Sequence, residues 1–190
     1  MAEKSALAAA NLPIIWILGG PGCGKGTQCE QIVSKYNYSH LSTGELLRSE
    51  VMSGSSRGIQ LFSLMEKGQH VPDEEVVGLL AEAMMTRLNK TKGFLIDGFP
   101  AGLEQAKMFE DRIGSPTKIL VFEANEEVLK CRLKERGNFD DKEESILKRI
   151  QLFTEKTKPV IDAYSKSLTK INSERSVGDI FADVCKNLES

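Results

Sequence analysis

Gly19-Gly20-Pro21-Gly22-Cys23-Gly24-Lys25-Gly26-Thr27 follows the apolar run Ile14-Ile15-Trp16-Ile17-Leu18 and leads into a helical pattern, with Cys29, Ile32, Val33 and Tyr36 at i, i+3, i+4 and i+7. Strand, glycine loop, helix is the context a phosphate-binding loop requires. Glycines let successive backbone N–H groups turn inward around phosphate oxygens. The helix N-terminus adds a partial positive charge and Lys25 a full one. Gly19, Gly24 and Lys25 satisfy G-x-x-x-x-G-K-[ST], but position 26 is glycine, so the hydroxyl expected near Mg²⁺ moves to Thr27. The stretch points to a nucleoside triphosphate site, because an incidental glycine-rich turn gives no reason for a strand before it and a helix after it.

Outward from the loop, strands and helices alternate. Ser42-Thr43-Gly44-Glu45 reads as a capping box opening a helix through Leu46, Leu47 and Val51. Asp73-Glu74-Glu75 after Pro72 opens another, with Arg87 and Lys90 at its end, as the helix dipole favours. Phe94-Leu95-Ile96-Asp97 is a short buried strand ending on a carboxylate. Lys118-Ile119-Leu120-Val121-Phe122 is another, and Leu168 to Ile171 a last edge strand, with His40 at a strand start. Gly137 to Asp141 is a polar loop before a long helix carrying Ile146, Ile150 and Phe153. This order predicts an α/β fold, a parallel sheet covered by helices, with ligands beyond the carboxyl ends of the strands. Trp16 reads as core.

The 190 residues suit one domain over 1–190, and a net charge of −2 gives no basic footprint for nucleic acid. The apolar runs fall far short of the ~20 residues a membrane helix needs. Met1 to Asn11 holds no apolar signal core, so the expectation is a cytoplasmic protein with no membrane partner. Cys23, Cys29, Cys131 and Cys185 form no C-x-x-C pair and the chain has two histidines, which argues against zinc. Cys29, Cys131 and Cys185 read as small core residues.

Three further segments narrow the chemistry. Leu41-Ser42-Thr43-Gly44-Glu45-Leu46-Leu47-Arg48 puts an arginine one turn past a helix start. Phe94-Leu95-Ile96-Asp97-Gly98-Phe99-Pro100 puts Asp97 before a glycine turn. Arg136 and Arg149 flank the polar loop. Charge-neutralising groups and a Mg²⁺-organising carboxylate around a phosphate loop are the inventory of phosphoryl transfer.

On GGPGCGKGTQC, HLSTGELLR, MEKGQHVPDE, KGFLIDGFP and the Asp140-Asp141 pair before a Lys-Arg helix, the chain resembles the short-lid cytosolic adenylate kinases from Ile14 to Leu188. The resemblance implies the P-loop nucleoside triphosphate hydrolase-like fold, with five strands, an AMP-binding insert at about 42–77 and a short lid at about 137–141. It implies transfer of the γ-phosphoryl group of MgATP to AMP. Gly22, Cys23, Gly24, Lys25, Gly26 and Thr27 would then hold the ATP phosphates. Asp97 would organise Mg²⁺ through water, near Thr27, with no direct protein ligand. Thr43, Arg48, Gln69, His70, Val71, Gly98, Phe99, Pro100 and Gln105 would bind AMP. Arg136 would stack near ATP, and Arg149 would bridge both phosphates. Lys25, Asp97, Arg136 and Arg149 would be the catalytic set. The family is mostly monomeric, so a monomer is expected.

Thr43 and Gln105 stand where the related UMP-CMP kinases typically carry alanine and asparagine, so both match the adenine side. Two family arginines are missing. Ala101 follows the Gly98-Phe99-Pro100 turn where an arginine is usual, and Asn138 stands where a lid arginine precedes the double aspartate. Arg175 replaces a glycine common near the ATP adenine. Losing a donor at a developing charge typically lowers a rate by about 10²–10³. Lys107, Arg112 and Lys142 are the sequence's candidates to substitute. Three readings follow: an adenylate kinase with reduced or rearranged phosphate binding, a UMP-CMP-type kinase, and a catalytically silent nucleotide binder of the same fold.

Overall fold

The apolar strand runs are buried on both faces, which is what parallel strands inside two helical layers require. A computed structural model describes residues 2–67, 69–137 and 141–190. The chain begins with α1 (Ala2–Ala10), β1 (Ile14–Gly19), α2 (Lys25–Tyr36) and β2 (Ser39–Ser42). Three helices follow, α3 (Thr43–Met52), α4 (Ser56–Glu66) and α5 (Asp73–Arg87), and then β3 (Phe94–Asp97) and α6 (Leu103–Arg112). The remainder is β4 (Lys118–Glu123), α7 (Glu126–Arg136), α8 (Glu143–Leu152), α9 (Lys158–Ala163), β5 (Leu168–Asn172) and α10 (Val177–Leu188). A π-helical turn, Phe153–Thr157, joins α8 to α9.

All strand pairs are parallel, in the order β2-β3-β1-β4-β5. This is the five-stranded α/β sheet expected from the sequence. Successive strand residues feed opposite layers. Trp16, Leu18, Phe94, Ile96, Ile119 and Val121 pack with α3–α6 on one face. Ile15, Ile17, Leu95, Leu120 and Phe122 pack with α2, α7, α8 and α10 on the other. Trp16 is fully buried and meets Phe99, Phe109 and Tyr164 edge-on at 5.5–5.6 Å.

Register aligns the carboxyl ends. Ile17 pairs with Asp97, Ser42 with Asp97 and Gly19 with Phe122. From β1 the chain turns to β2 and β3 on one side and later to β4 on the other. The glycine loop therefore sits at the topological switch point, where ligands bind in such sheets. Among the described residues no helix is long and apolar enough to cross a membrane.

Candidate active site

The glycine loop leaves a helix end open to an anion. Gly22 and Gly24 have φ of +84° and +92°, and a Cβ on Gly22 would lie 2.8 Å from the Leu129 backbone oxygen. Both requirements exclude a side chain. α2 starts without a capping side chain or an acid in its first turn. By contrast, Ser42 Oγ accepts from the Glu45 N–H at 3.3 Å to cap α3, and Ser176 caps α10. The first amides of α2 are thus left for a ligand. Lys25 Nζ donates to the carbonyls of Gly19 and Gly20, each at 3.0 Å, and lies 3.5 Å from Cys23 Sγ.

Asp97 closes the floor. His40 Nε2 and Asp97 Oδ2 are 3.1 Å apart, a hydrogen bond between β2 and the end of β3. Asp97 Oδ1 is buried without a hydrogen-bond partner among the described residues. Cys29 Sγ completes a group with His40 and Asp97 whose polar atoms all lie within 4.8 Å of one another. Burial, then the Asp97 charge, push the Cys29 thiol well above its ordinary pKa. Cys131 corrects the sequence reading: it is exposed, because α7 buries Leu129 and Leu133 on its opposite side. Since the thiolate is the nucleophile, brief iodoacetamide treatment of the folded protein should label Cys131 and spare Cys29. Peptide mass spectrometry checks this, with the unfolded chain labelled at both.

Three clefts bear on the site, two of them lined by residues of the loop. The first is lined by Gly22, Lys25, Thr43, Arg48, Asp97, Gly98, Pro100, Ala101, Arg136, Arg149 and Lys156. The second is lined by Thr43, Arg48, Gln69, His70, Val71, Gly98, Ala101, Gln105 and Arg149. The third, on the other flank, is lined by Cys23, Gly24, Thr27, Gln28, Arg132 and Arg175. Thr27 and Asp97 therefore open onto different clefts. Gly26 lines none of the three. Phe99 is fully buried against Trp16 and Phe109, so its side chain serves the core while its neighbours line the clefts.

Several polar groups already have partners. Arg136 donates to Asp141 through Nε at 2.8 Å and Nη2 at 2.6 Å, and Arg149 Nη1 donates to the same carboxylate at 2.9 Å. The Asp141 side chain is only 1% exposed. Gln105 is 2% exposed; its Nε2 donates to Asp73 Oδ1 at 2.9 Å and its Oε1 accepts from the Ala101 N–H at 2.7 Å. His70 Nε2 lies 3.0 Å from the same Asp73 oxygen. Thr43 Oγ1 donates to the carbonyls of Asp97 and Gly98, both at 3.2 Å.

The three cations proposed to replace the missing arginines lie elsewhere. Lys142 pairs with Glu66 at 2.7 Å, and Lys107 and Arg112 line a separate groove on α6. Asn138 lies outside the described residues, as does Gly68. Sequence reading missed Asp73, Arg132, Asp141 and Lys156. Only Asp141 carried a local signal, as an acid between two selected arginines.

A family model described as adenylate kinase matches residues 17–169. The chain belongs to the adenylate kinase family. It is 51% identical over 183 residues to adenylate kinase isoenzyme 1 of Homo sapiens, covering 93% of this chain and 94% of that protein. The Sus scrofa isoenzyme 1 is 50% identical over the same shares. The Caenorhabditis elegans isoenzyme 1 is 49% identical over 190 residues, 96% of this chain and 90% of that protein. Adenylate kinases are phosphotransferases acting on nucleoside monophosphates, and in this adenylate kinase the glycine loop and Asp97 open onto one cleft that adjoins a second.

Proposed function

We propose that the protein catalyses ATP + AMP = 2 ADP, with the ATP phosphates on the glycine loop and AMP in the second cleft. The observation that carries this reading is the wall shared by the two clefts. Thr43, Arg48, Gly98, Ala101 and Arg149 line both. A phosphate entering from either side meets the same two arginines, so donor and acceptor phosphates converge there. The third cleft, between Arg132 and Arg175, suits the ATP base, whose aromatic face stacks on guanidinium planes.

Transfer breaks the bond from the γ-phosphorus to the β,γ-bridging oxygen and makes one to an AMP phosphate oxygen. The acceptor is already an anion, so positioning and charge neutralisation suffice without a general base. Lys25 exchanges its two carbonyls for the β- and γ-phosphate oxygens. Arg149 and Arg136 exchange Asp141 for phosphate oxygens, and Gln105 gives up one amide partner to the adenine. Asp97 Oδ1, buried and unpartnered, fits the water shell of a Mg²⁺ ion, which draws off charge from the phosphates when bound. Thr27 offers its hydroxyl to the triphosphate from the opposite flank.

A coupled assay of ADP formation from ATP, AMP and Mg²⁺ tests the reading; turnover no faster than that of Lys25→Met would sink it. A thermal shift with nucleotide but no turnover would then identify a silent binder. Acceptor choice follows from Thr43 and Gln105. We expect kcat/KM for AMP to exceed that for UMP or CMP by at least about 10²-fold, because a site built to hydrogen-bond one base rejects another strongly. Faster turnover with either pyrimidine would overturn the adenine assignment.

A further inference from the structure

Ala101 removes a donor from the wall shared by the two clefts, and Lys156 brings a cation to the same place. Lys156 lines the first cleft together with Ala101. Its Cβ lies 3.8 Å from where a Cβ on Gly102, the next residue after Ala101, would sit. Two features fix it there. Thr157, buried, donates its hydroxyl to the Ala101 carbonyl at 2.9 Å, tying the helix to the turn that ends on Ala101. Phe153–Thr157 is a π-helical turn, whose extra residue shifts the side chains away from the α-helical register.

The cleft's other cations, Arg48 among them, have partners. Lys25 holds two carbonyls, and Arg136 and Arg149 hold Asp141. Lys156 is exposed and makes no ion pair or side-chain hydrogen bond among the described residues. An ammonium on a flexible stem can reach a phosphate as a point charge without the forked geometry an arginine needs. We infer that Lys156 binds the phosphate of the acceptor nucleotide and supplies the positive charge that Ala101 cannot. Two anionic phosphates must approach each other at this wall, and a cation between them lowers their repulsion as transfer begins.

The assignment rests on the phosphate-transfer reading of the cleft, and its test separates the two. In Lys156→Ala, KM for AMP should rise about tenfold or more, since a hydrogen bond to a charged group is worth that much. KM for ATP should change little, and Lys156→Arg, which keeps the charge, should lose less than Lys156→Ala. Calorimetry gives a readout independent of turnover: AMP binding should weaken in Lys156→Ala while adenosine, which lacks the phosphate, binds as before. Adding Ala101→Arg to Lys156→Ala should recover the KM for AMP to within about threefold of wild type, a coupling expected only of neighbours serving one ligand. An unchanged KM for AMP, equal losses for AMP and adenosine, or no recovery in the double variant would each overturn the inference. A wild-type protein that binds AMP without turnover would sink the kinase reading alone, and the calorimetric comparison would still decide the role of Lys156.

Discussion

Lys25→Met should lower turnover of ATP with AMP by about 10³-fold or more, the scale seen when a charge aimed at a transferring phosphoryl group is removed. The side chain stands at the first residue of α2, where the helix end and the glycine loop converge. Its Nζ rests on the Gly19 and Gly20 carbonyls at 3.0 Å, so it is held over the loop before a nucleotide arrives. Methionine keeps the length of the stem and removes the charge. The loss should therefore fall on kcat more than on the stability of the fold. Steady-state kinetics with a melting curve of each protein checks this. A variant within tenfold of wild-type kcat at the same melting temperature would remove Lys25 from the chemistry.

Trp16→Ala should be the most damaging core change. Trp16 is fully buried in the central strand and makes edge-on contacts with three rings from three other elements. Deleting such a side chain costs about 3–5 kcal/mol, transfer and cavity terms together. For a chain of this length that is a fall in Tm of roughly 8–15 °C. Trp16→Phe should cost much less. It keeps a ring among Phe99, Phe109 and Tyr164 and removes an indole N–H that is buried without a partner among the described residues. Circular dichroism melts of the two variants give the comparison; equal losses would mean that the retained ring contributes nothing at this site. Trp16 also reaches the site, since Phe99 lies in the turn that carries Gly98, Pro100 and Ala101. The alanine variant should accordingly weaken AMP binding more than ATP binding.

The sheet and the loop were legible because both are written in local patterns. Ile14 to Leu18 and Phe94 to Ile96 are continuous apolar runs, which mark strands covered on both faces. The glycine spacing marks the phosphate loop, and Ser42 with Glu45 marks a helix start that the structure reproduces. What could not be read was set by tertiary contact. The π-helical turn at Phe153–Thr157 carries no signature, because an apolar periodicity continues across it. Lys156 is one of many surface lysines until Thr157 is seen bonded to Ala101. Gln105 was picked out as a base reader, but its bond to Asp73, 32 residues away in the chain, is set by tertiary contact. Cys131 was misjudged for a related reason: α7 has a narrow buried stripe, and position alone does not say which side of it a small residue takes.

Asp141 has a consequence of its own. By sitting between Arg136 and Arg149, it is, on the proposed reading, a resident competitor for phosphate at those two arginines. Its carboxylate holds the two guanidinium groups together and offsets part of their charge, which lowers the attraction that a stray inorganic anion feels. On that reading a nucleotide displaces it and it returns when the nucleotide leaves, so the same acid that weakens binding favours release. Because ADP is the product in one direction and the substrate in the other, such a competitor bears on both directions of the reaction alike.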